Sequence, residues 1–284
     1  MCEAWDGTRV LATGLDGTQT IVEIETVIEP GGGVERRTFV YRLVRYFEGP
    51  GGEFVPSLFE AKVGYSVLLK GAAKGLSEAE VTRNKFYFGK NLADVPVKGY
   101  LSLLVDEILH PFYIFQVWSV VVWYLEPYIM YATAIAVISL VSALVSLFSA
   151  RRNLENIRHM AHFVCPITVR RRTGSESASP RCIEIESTDL VPGDIVELSD
   201  NVVFPCDLVL CSGTCIVNES MLTGESLPVL KTSVPVHVGV GQEGTYSPSQ
   251  DKRFTLFCGT KCMEARKQGK NSPVLAMVLR TGFR

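Results

Sequence analysis

The chain has 284 residues, enough for one or two domains with proper cores. It holds 28 basic and 30 acidic side chains, a formal charge of −2, and this balance excludes the basic face that a nucleic-acid-binding domain needs. A mean hydropathy of +0.20 beside 20% charged residues requires the apolar residues to be concentrated in one part of the chain.

Residues 1–34 mix charge, glycine and short apolar pairs, with a breaker at Pro30-Gly31-Gly32-Gly33, and residues 1–36 read as poorly structured. Residues 37–107 form a cytosolic N-terminal region of mixed helix and strand. Arg37 to Phe47 is rich in β-branched and aromatic residues and predicts a strand. The turn residues Gly49-Pro50-Gly51-Gly52 then predict a hairpin to Phe54-Val55-Pro56. Residues 76–89 predict a helix: Ser77 and Glu80 are spaced as a capping box, Leu76 and Val81 as a hydrophobic staple, and Gly89 is a stop. Leu101, Leu104, Val105, Ile108 and Leu109 fall at helical spacing, in a segment lying on a bilayer surface or leading into it.

From Pro111 to Ser149 the only charged residue is Glu126, followed by Pro127. At 1.5 Å per residue across a core of about 30 Å, this length predicts two transmembrane helices, near 108–125 and 128–148. Trp118, Trp123, Tyr124, Tyr128 and Tyr131 gather near the break, as aromatic residues do at an interface. Lys98, Arg151, Arg152 and Arg158 lie beyond the outer ends, which places both ends in the cytosol. Glu126 reads as a solvated turn residue in preference to a transport-site carboxylate. Residues 151–162 continue as a charged helical extension.

The pattern then changes to short strands at Cys165–Arg172, Arg181–Glu186, Asp194–Leu198, Val202–Cys211 and Cys215–Val217, with more at Val234–Val240, Arg253–Cys258 and Val274–Leu279. Turn residues at Gly174-Ser175, Pro192-Gly193-Asp194 and Ser212-Gly213 separate them, and Gly241 to Gln250 reads as a surface loop. Residues 150–284 are therefore a compact all-β domain, a sandwich or distorted barrel. The eight cysteines form no C-x-x-C pair and no histidine stands at zinc-ligand spacing beside them, so they read as free cytosolic thiols and no metal site is expected. His110, His159, His162 and His237 read as ordinary surface or boundary residues. Asn218-Glu219-Ser220 matches a glycosylation acceptor, but its cytosolic placement argues against modification.

Within this domain Thr223-Gly224-Glu225-Ser226 interrupts an apolar run. Gly224 tolerates positive φ and close approach, Glu225 puts one carboxylate at a tip between two hydroxyls, and Pro228 restricts the exit. Three motifs in fixed order, Leu190-Val191-Pro192-Gly193-Asp194-Ile195-Val196, Pro205-Cys206-Asp207 and Val217 to Val229, resemble the actuator domain of P-type ATPases. The finer resemblance is to the B branch of the type-V class, the polyamine-exporter-like members. It rests on Val95-Pro96-Val97-Lys98, Leu104-Val105-Asp106-Glu107, Pro111-Phe112-Tyr113, Phe115-Gln116, Thr255 to Thr260 and Arg280-Thr281-Gly282-Phe283.

The resemblance implies an ATP-driven cation pump, with a polyamine as its cargo, in a late-endosomal, lysosomal or other internal membrane. Such a pump uses ATP and Mg2+ and phosphorylates its own aspartate. Glu225 would then position or deprotonate the water that hydrolyses the aspartyl phosphate, with Gly224 allowing close approach and Thr223 and Ser226 shaping the loop. The family's D-K-T-G-T motif is absent from this sequence, as are its nucleotide-binding domain and later membrane helices; no apolar run of 18 residues precedes Ile108. On this reading the chain is a fragment or short isoform, inactive alone, whose partners are the bilayer and the remaining domains of the pump. The alternatives are a membrane-anchored regulatory module without catalysis, and a P-type ATPase of another class.

Overall fold

A computed structural model describes the chain except for residues 1, 7, 14–16, 31–32, 43, 50, 58–63, 93–98, 101–102, 106–108, 110, 127, 162–163, 174–178, 236–243, 249, 268, 270–271 and 283–284. Outside the described residues lie Val95–Lys98, most of the strand expected at Val234–Val240, the Gly174-Ser175 turn, Pro127, and His110, His162 and His237. The chain divides into two units, Met1–Leu92 with Val164–Arg284, and Ala93–Phe163. The fold is mixed helix and strand, with a sheet-rich part and one long apolar helix.

The first unit begins with strands β1 (Cys2–Asp6), β2 (Arg9–Thr13) and β3 (Gln19–Glu23), an antiparallel sheet in that order. Strands β4 (Glu25–Ile28), β5 (Glu35–Tyr41), β6 (Val44–Glu48) and β7 (Phe54–Pro56) form a second antiparallel sheet. The described part of residues 1–34 contains the strands β1 to β4, whose many charged and polar residues hide the alternation. The single strand expected over Arg37–Phe47 is instead a hairpin, because Arg42 takes a left-handed φ of 48° and turns the chain without glycine or proline. The next hairpin, across Gly49 to Gly52, is present, with Tyr46 opposite Pro56.

Helix α1 (Tyr65–Lys74) has no counterpart in the sequence reading. It ends at Gly75, whose φ of 67° is left-handed and whose Cβ position would lie 2.8 Å from the Arg170 carbonyl oxygen, so only glycine fits. After the short strand β8 (Leu76–Ser77) comes α2 (Glu78–Phe88), opened by the expected capping box. The Ser77 hydroxyl accepts from the Glu80 N–H at 3.3 Å, and the Ser77 N–H donates to Glu80 Oε2 at 2.8 Å.

The main sheet has the order β10-β9-β11-β17-β12-β15, with β8 joining β9 in parallel. Its strands are β9 (Pro166–Arg172), β10 (Arg181–Glu186), β11 (Ile195–Glu197), β12 (Asp207–Ser212), β15 (Thr255–Leu256) and β17 (Leu275–Arg280). Only the C-terminal part of the strand expected at Val202–Cys211 forms; before it Val203 makes an isolated bridge to Lys261. Its strands β11, β12 and β17 are buried on both faces, and the period of two sorts their residues. Leu208, Leu210, Ala276 and Val278 enter one core, which contains Val169, Val196, Phe204 and Val217. Val209, Cys211, Met277 and Leu279 enter a second core, with Leu68 and Ala72 of α1. Gly71 lets α1 come close, since a Cβ there would lie 2.7 Å from Met277 Cε. A smaller sheet, β14-β13-β16, consists of β14 (Val229–Thr232), β13 (Thr214–Asn218) and β16 (Lys261–Arg266).

The second unit contains α3 (Pro111–Leu125) and α4 (Ile129–Ala161), which are joined by residues 126–128 and meet where the Tyr124 and Thr133 hydroxyls lie 3.0 Å apart. The charged extension after Ser149 is one helix with the apolar stretch before it. Among the described residues α4 is the one helix long and apolar enough to cross a membrane; α3 is apolar but shorter.

Candidate functional site

The Thr223–Ser226 segment lies in the loop between β13 and β14, which are antiparallel with Val217 opposite Val229. The loop opens with a single helical turn, α5 (Ser220–Thr223). Its start is held by the Asn218 side chain, whose Oδ1 accepts from the Ser220 N–H at 2.9 Å. The Glu219 carbonyl closes the turn, accepting from the Leu222 and Thr223 N–H groups, each at 2.9 Å, and from the Thr223 hydroxyl at 3.1 Å. Gly224 ends it in the left-handed conformation, φ 77° and ψ −3°, with its N–H on the Ser220 carbonyl. A Cβ at Gly224 would meet no atom of this chain within 4 Å, so the internal reason for glycine is the positive φ. The next N–H, that of Glu225, donates to Thr223 Oγ1 at 3.2 Å. Thr223 therefore shapes the loop by bonding on both sides of the glycine.

All residues from Met221 to Leu230 are exposed, including Glu225 and Ser226. The four residues singled out in the sequence share one projecting tip, whose backbone is fixed and whose carboxylate faces outward. The exposed Glu225 carboxylate can accept a proton or orient a water once another surface closes over it. Met221 and Leu227 flank the tip and are 90% and 76% exposed, an apolar rim without cover among the described residues.

The companion motifs hold the domain beneath this loop. Gly193 turns with φ 92°, and Asp194, fully buried, receives Arg171 through two bonds of 2.8 and 2.6 Å and the Val191 N–H at 3.0 Å. Asp207 Oδ1 accepts from the Cys258 N–H at 2.9 Å. These carboxylates are spent on backbone and guanidinium groups, which fits anchoring better than proton transfer. Burial raises the Cys206 thiol well above its ordinary value and pushes Cys211 up to about 12, so both are inert neutral groups.

Two buried polar groups escaped the sequence reading. Lys231 and Glu219 form an ion pair of 2.6 Å at the base of the loop. Asn91 bonds to the carbonyls of Ser187 and Pro205 and to the Gly282 N–H. No pattern in the sequence marks the first, since a lysine after Val229 and Leu230 reads as a solvated charge. Nothing local pointed to the second. In the other unit Glu126 sits at the turn between α3 and α4, in a cleft of about 510 Å³ lined with Val122, Trp123, Tyr128 and Tyr131.

Among the described residues no three His, Cys, Asp or Glu side chains stand close enough to hold a metal ion. Among the described residues the donor set for the magnesium of MgATP is therefore not assembled.

A sheet-rich domain that presents one carboxylate on an ordered, exposed loop, in the same chain as a long apolar helix, has the layout of an actuator-type domain. Residues 166–284 match the model of the P-type ATPase actuator domain, and residues 67–123 match that of the cation transporter/ATPase N-terminus. The chain belongs to the P-type ATPase family. It is 41% identical over 259 residues to the polyamine-transporting ATPase 13A3 of Mus musculus, covering 88% of this chain and 20% of that protein. It is 40% identical over 210 residues to the polyamine-transporting ATPase 13A2 of Homo sapiens, covering 74% and 17%. With the vacuolar cation-transporting ATPase YPK9 of Saccharomyces cerevisiae it shares 36% over 260 residues, covering 87% and 17%. The chain thus spans about a fifth or less of the length of these relatives.

Proposed function

We propose that this chain is the actuator portion of an ATP-driven pump for polyamines or related cations, and that its Thr223–Ser226 loop promotes hydrolysis of the pump's aspartyl phosphate. The observation that carries the reading is the loop itself: a lone exposed carboxylate on a glycine-turned tip, braced from below. The phosphorylated aspartate belongs to another part of the pump, since the D-K-T-G-T motif does not occur here. When the tip meets the phosphoenzyme, Glu225 accepts a proton from water as its oxygen attacks phosphorus. The acyl oxygen leaves with its electron pair, giving inorganic phosphate and a free aspartate carboxylate. Gly224 presents the smallest possible surface beside Glu225. Thr223 holds the Glu225 backbone, and Ser226 supplies an exposed hydroxyl beside Glu225 for a hydrogen bond near the phosphate. Glu225 and the phosphate repel each other, so the loop has to arrive after phosphorylation, and movement of the actuator with its helices supplies that order.

The same proposal makes α3 and α4 a membrane hairpin with both ends in the cytosol. The 20 residues from Ile129 to Phe148 extend about 30 Å, one bilayer core. The names of the relatives support a polyamine or other cation as cargo and, from the yeast protein, an internal membrane. ATP and Mg2+ serve the complete pump through its other domains. In the complete pump Glu225→Gln should accumulate phosphoenzyme at steady state, whereas the 284-residue chain alone should take up no acid-stable phosphate from ATP. Labelling of the chain alone would overturn the division of labour, and a normal phosphoenzyme level in the variant would remove Glu225 from the role.

A further inference from the structure

We infer that Lys231 is a positioning residue for Glu225, acting through Glu219 and Thr223; the inference rests on the hydrolytic role proposed for that loop. Lys231 and Glu219 stand at the two feet of the loop, each nearly excluded from solvent, with side-chain exposures of 3% and 8%. Every residue between Met221 and Leu230 is exposed, so these two are the buried charged groups at the ends of the loop. The arrangement opposes the hydrophobic pattern of β14, where Val229 and Leu230 face solvent and a lysine faces inward. Stability alone does not favour it, because a buried ion pair is often no better than apolar side chains of the same size. What such a pair does supply is a fixed geometry.

That geometry can be followed atom by atom. The Lys231 ammonium lies 2.6 Å from Glu219 Oε1, donates to the Lys252 carbonyl at 2.9 Å, and sits 5.2 Å from the centre of the Phe257 ring. Its charge is therefore met from three sides, and its attraction holds the Glu219 carboxylate beside it as an ion pair, without hydrogen-bond geometry at Oε1. The Glu219 carbonyl receives the Thr223 N–H and hydroxyl, and the Thr223 oxygen receives the Glu225 N–H at 3.2 Å. Lys231 thus fixes the foot of the turn from which the catalytic carboxylate projects, without touching the reacting atoms. A displacement of about 1 Å in such a group can cost on the order of a hundredfold in rate.

The test uses the complete pump and two readouts. Lys231→Met should leave the rate of phosphoenzyme formation from ATP near wild type and slow its decay about ten- to a hundredfold. In the 284-residue chain the Leu222–Glu225 amides should exchange faster, while those of β12 and β17 keep their protection. If the single variant fails to fold, Glu219→Gln with Lys231→Met leaves no unpaired buried charge; folded, it should show the same slow decay. Wild-type decay in a folded variant, equal slowing of formation and decay, or unchanged loop exchange would each overturn the inference. Glu225→Gln run in parallel separates the two levels. Normal decay in that variant refutes the proposed function, whereas slow decay there with normal decay in Lys231→Met refutes the role of Lys231 alone.

Discussion

Replacing Asn91 tests how the actuator is tied to the segment that precedes the apolar helices. Asn91 is buried, and its side chain uses both donors and its acceptor: the amide nitrogen donates to the Ser187 carbonyl at 2.9 Å and the Pro205 carbonyl at 3.2 Å, and the oxygen accepts from Gly282 at 2.7 Å. Its own N–H donates to the Thr188 carbonyl at 3.0 Å, a bond that any residue but proline keeps. Asn91→Ala leaves two carbonyls and one N–H without these partners. Each orphaned buried group costs about 1–3 kcal/mol, and water can reach the half-buried Pro205 and Gly282, so a total of about 2–4 kcal/mol follows. For a folded unit of this size that lowers the melting temperature of the detergent-solubilised chain by roughly 5–15 °C. Asn91→Asp keeps an acceptor for Gly282 but aims a carboxylate at two carbonyl oxygens, and should be at least as damaging. A melting temperature within about 1 °C of wild type for Asn91→Ala would refute the accounting of these bonds.

Two further outcomes follow from the loop and the capping box. Gly224→Ala should strain the left-handed turn by about 1–2 kcal/mol, and Gly224→Asn by less, so exchange of the Glu225 amide should rise from wild type to Gly224→Asn to Gly224→Ala; equal exchange in all three proteins would refute the conformational reason for glycine. The Glu80 carboxyl is held below its usual range, first by the Ser77 N–H and then by the Ser77 hydroxyl and Arg172, against the opposing effect of burial. A depressed carboxyl contributes stability above its unfolded value, near 4.5, and loses it as pH falls through the folded value. Thermal unfolding should therefore show the difference between wild type and Glu80→Gln at pH 6–7 shrinking towards about pH 3. A difference independent of pH would contradict it.

The parts legible in the sequence were those set by local rules. Ser77 and Glu80 announced their capping box, Arg181–Glu186 its strand, and the Gly224 turn its position, because each depends on residues a few places apart. The hairpin at Arg42 was hidden because no glycine or proline marks it. Helix α1 was hidden because Gly71 lies inside it and Gly75 closes it, and both are there for close approaches to Met277 and Arg170 that the sequence does not display. Asn91 was beyond reach for the same reason, since its partner Gly282 lies 191 positions away. Within the candidate site the tip was legible and its support was not. A lysine after an apolar pair reads as a solvated charge until the fold shows it facing inward beside Glu219.

The central claim, that Glu225 acts in breaking the phosphoenzyme, is tested most directly by a single-turnover chase. The complete pump is labelled with radioactive ATP, unlabelled ATP is added in excess, and the acid-stable phosphate remaining is followed with time. For Glu225→Gln labelling should proceed at the wild-type rate and decay should be slower by about a hundredfold or more, the contribution of a positioned general base. Decay at the wild-type rate would contradict it.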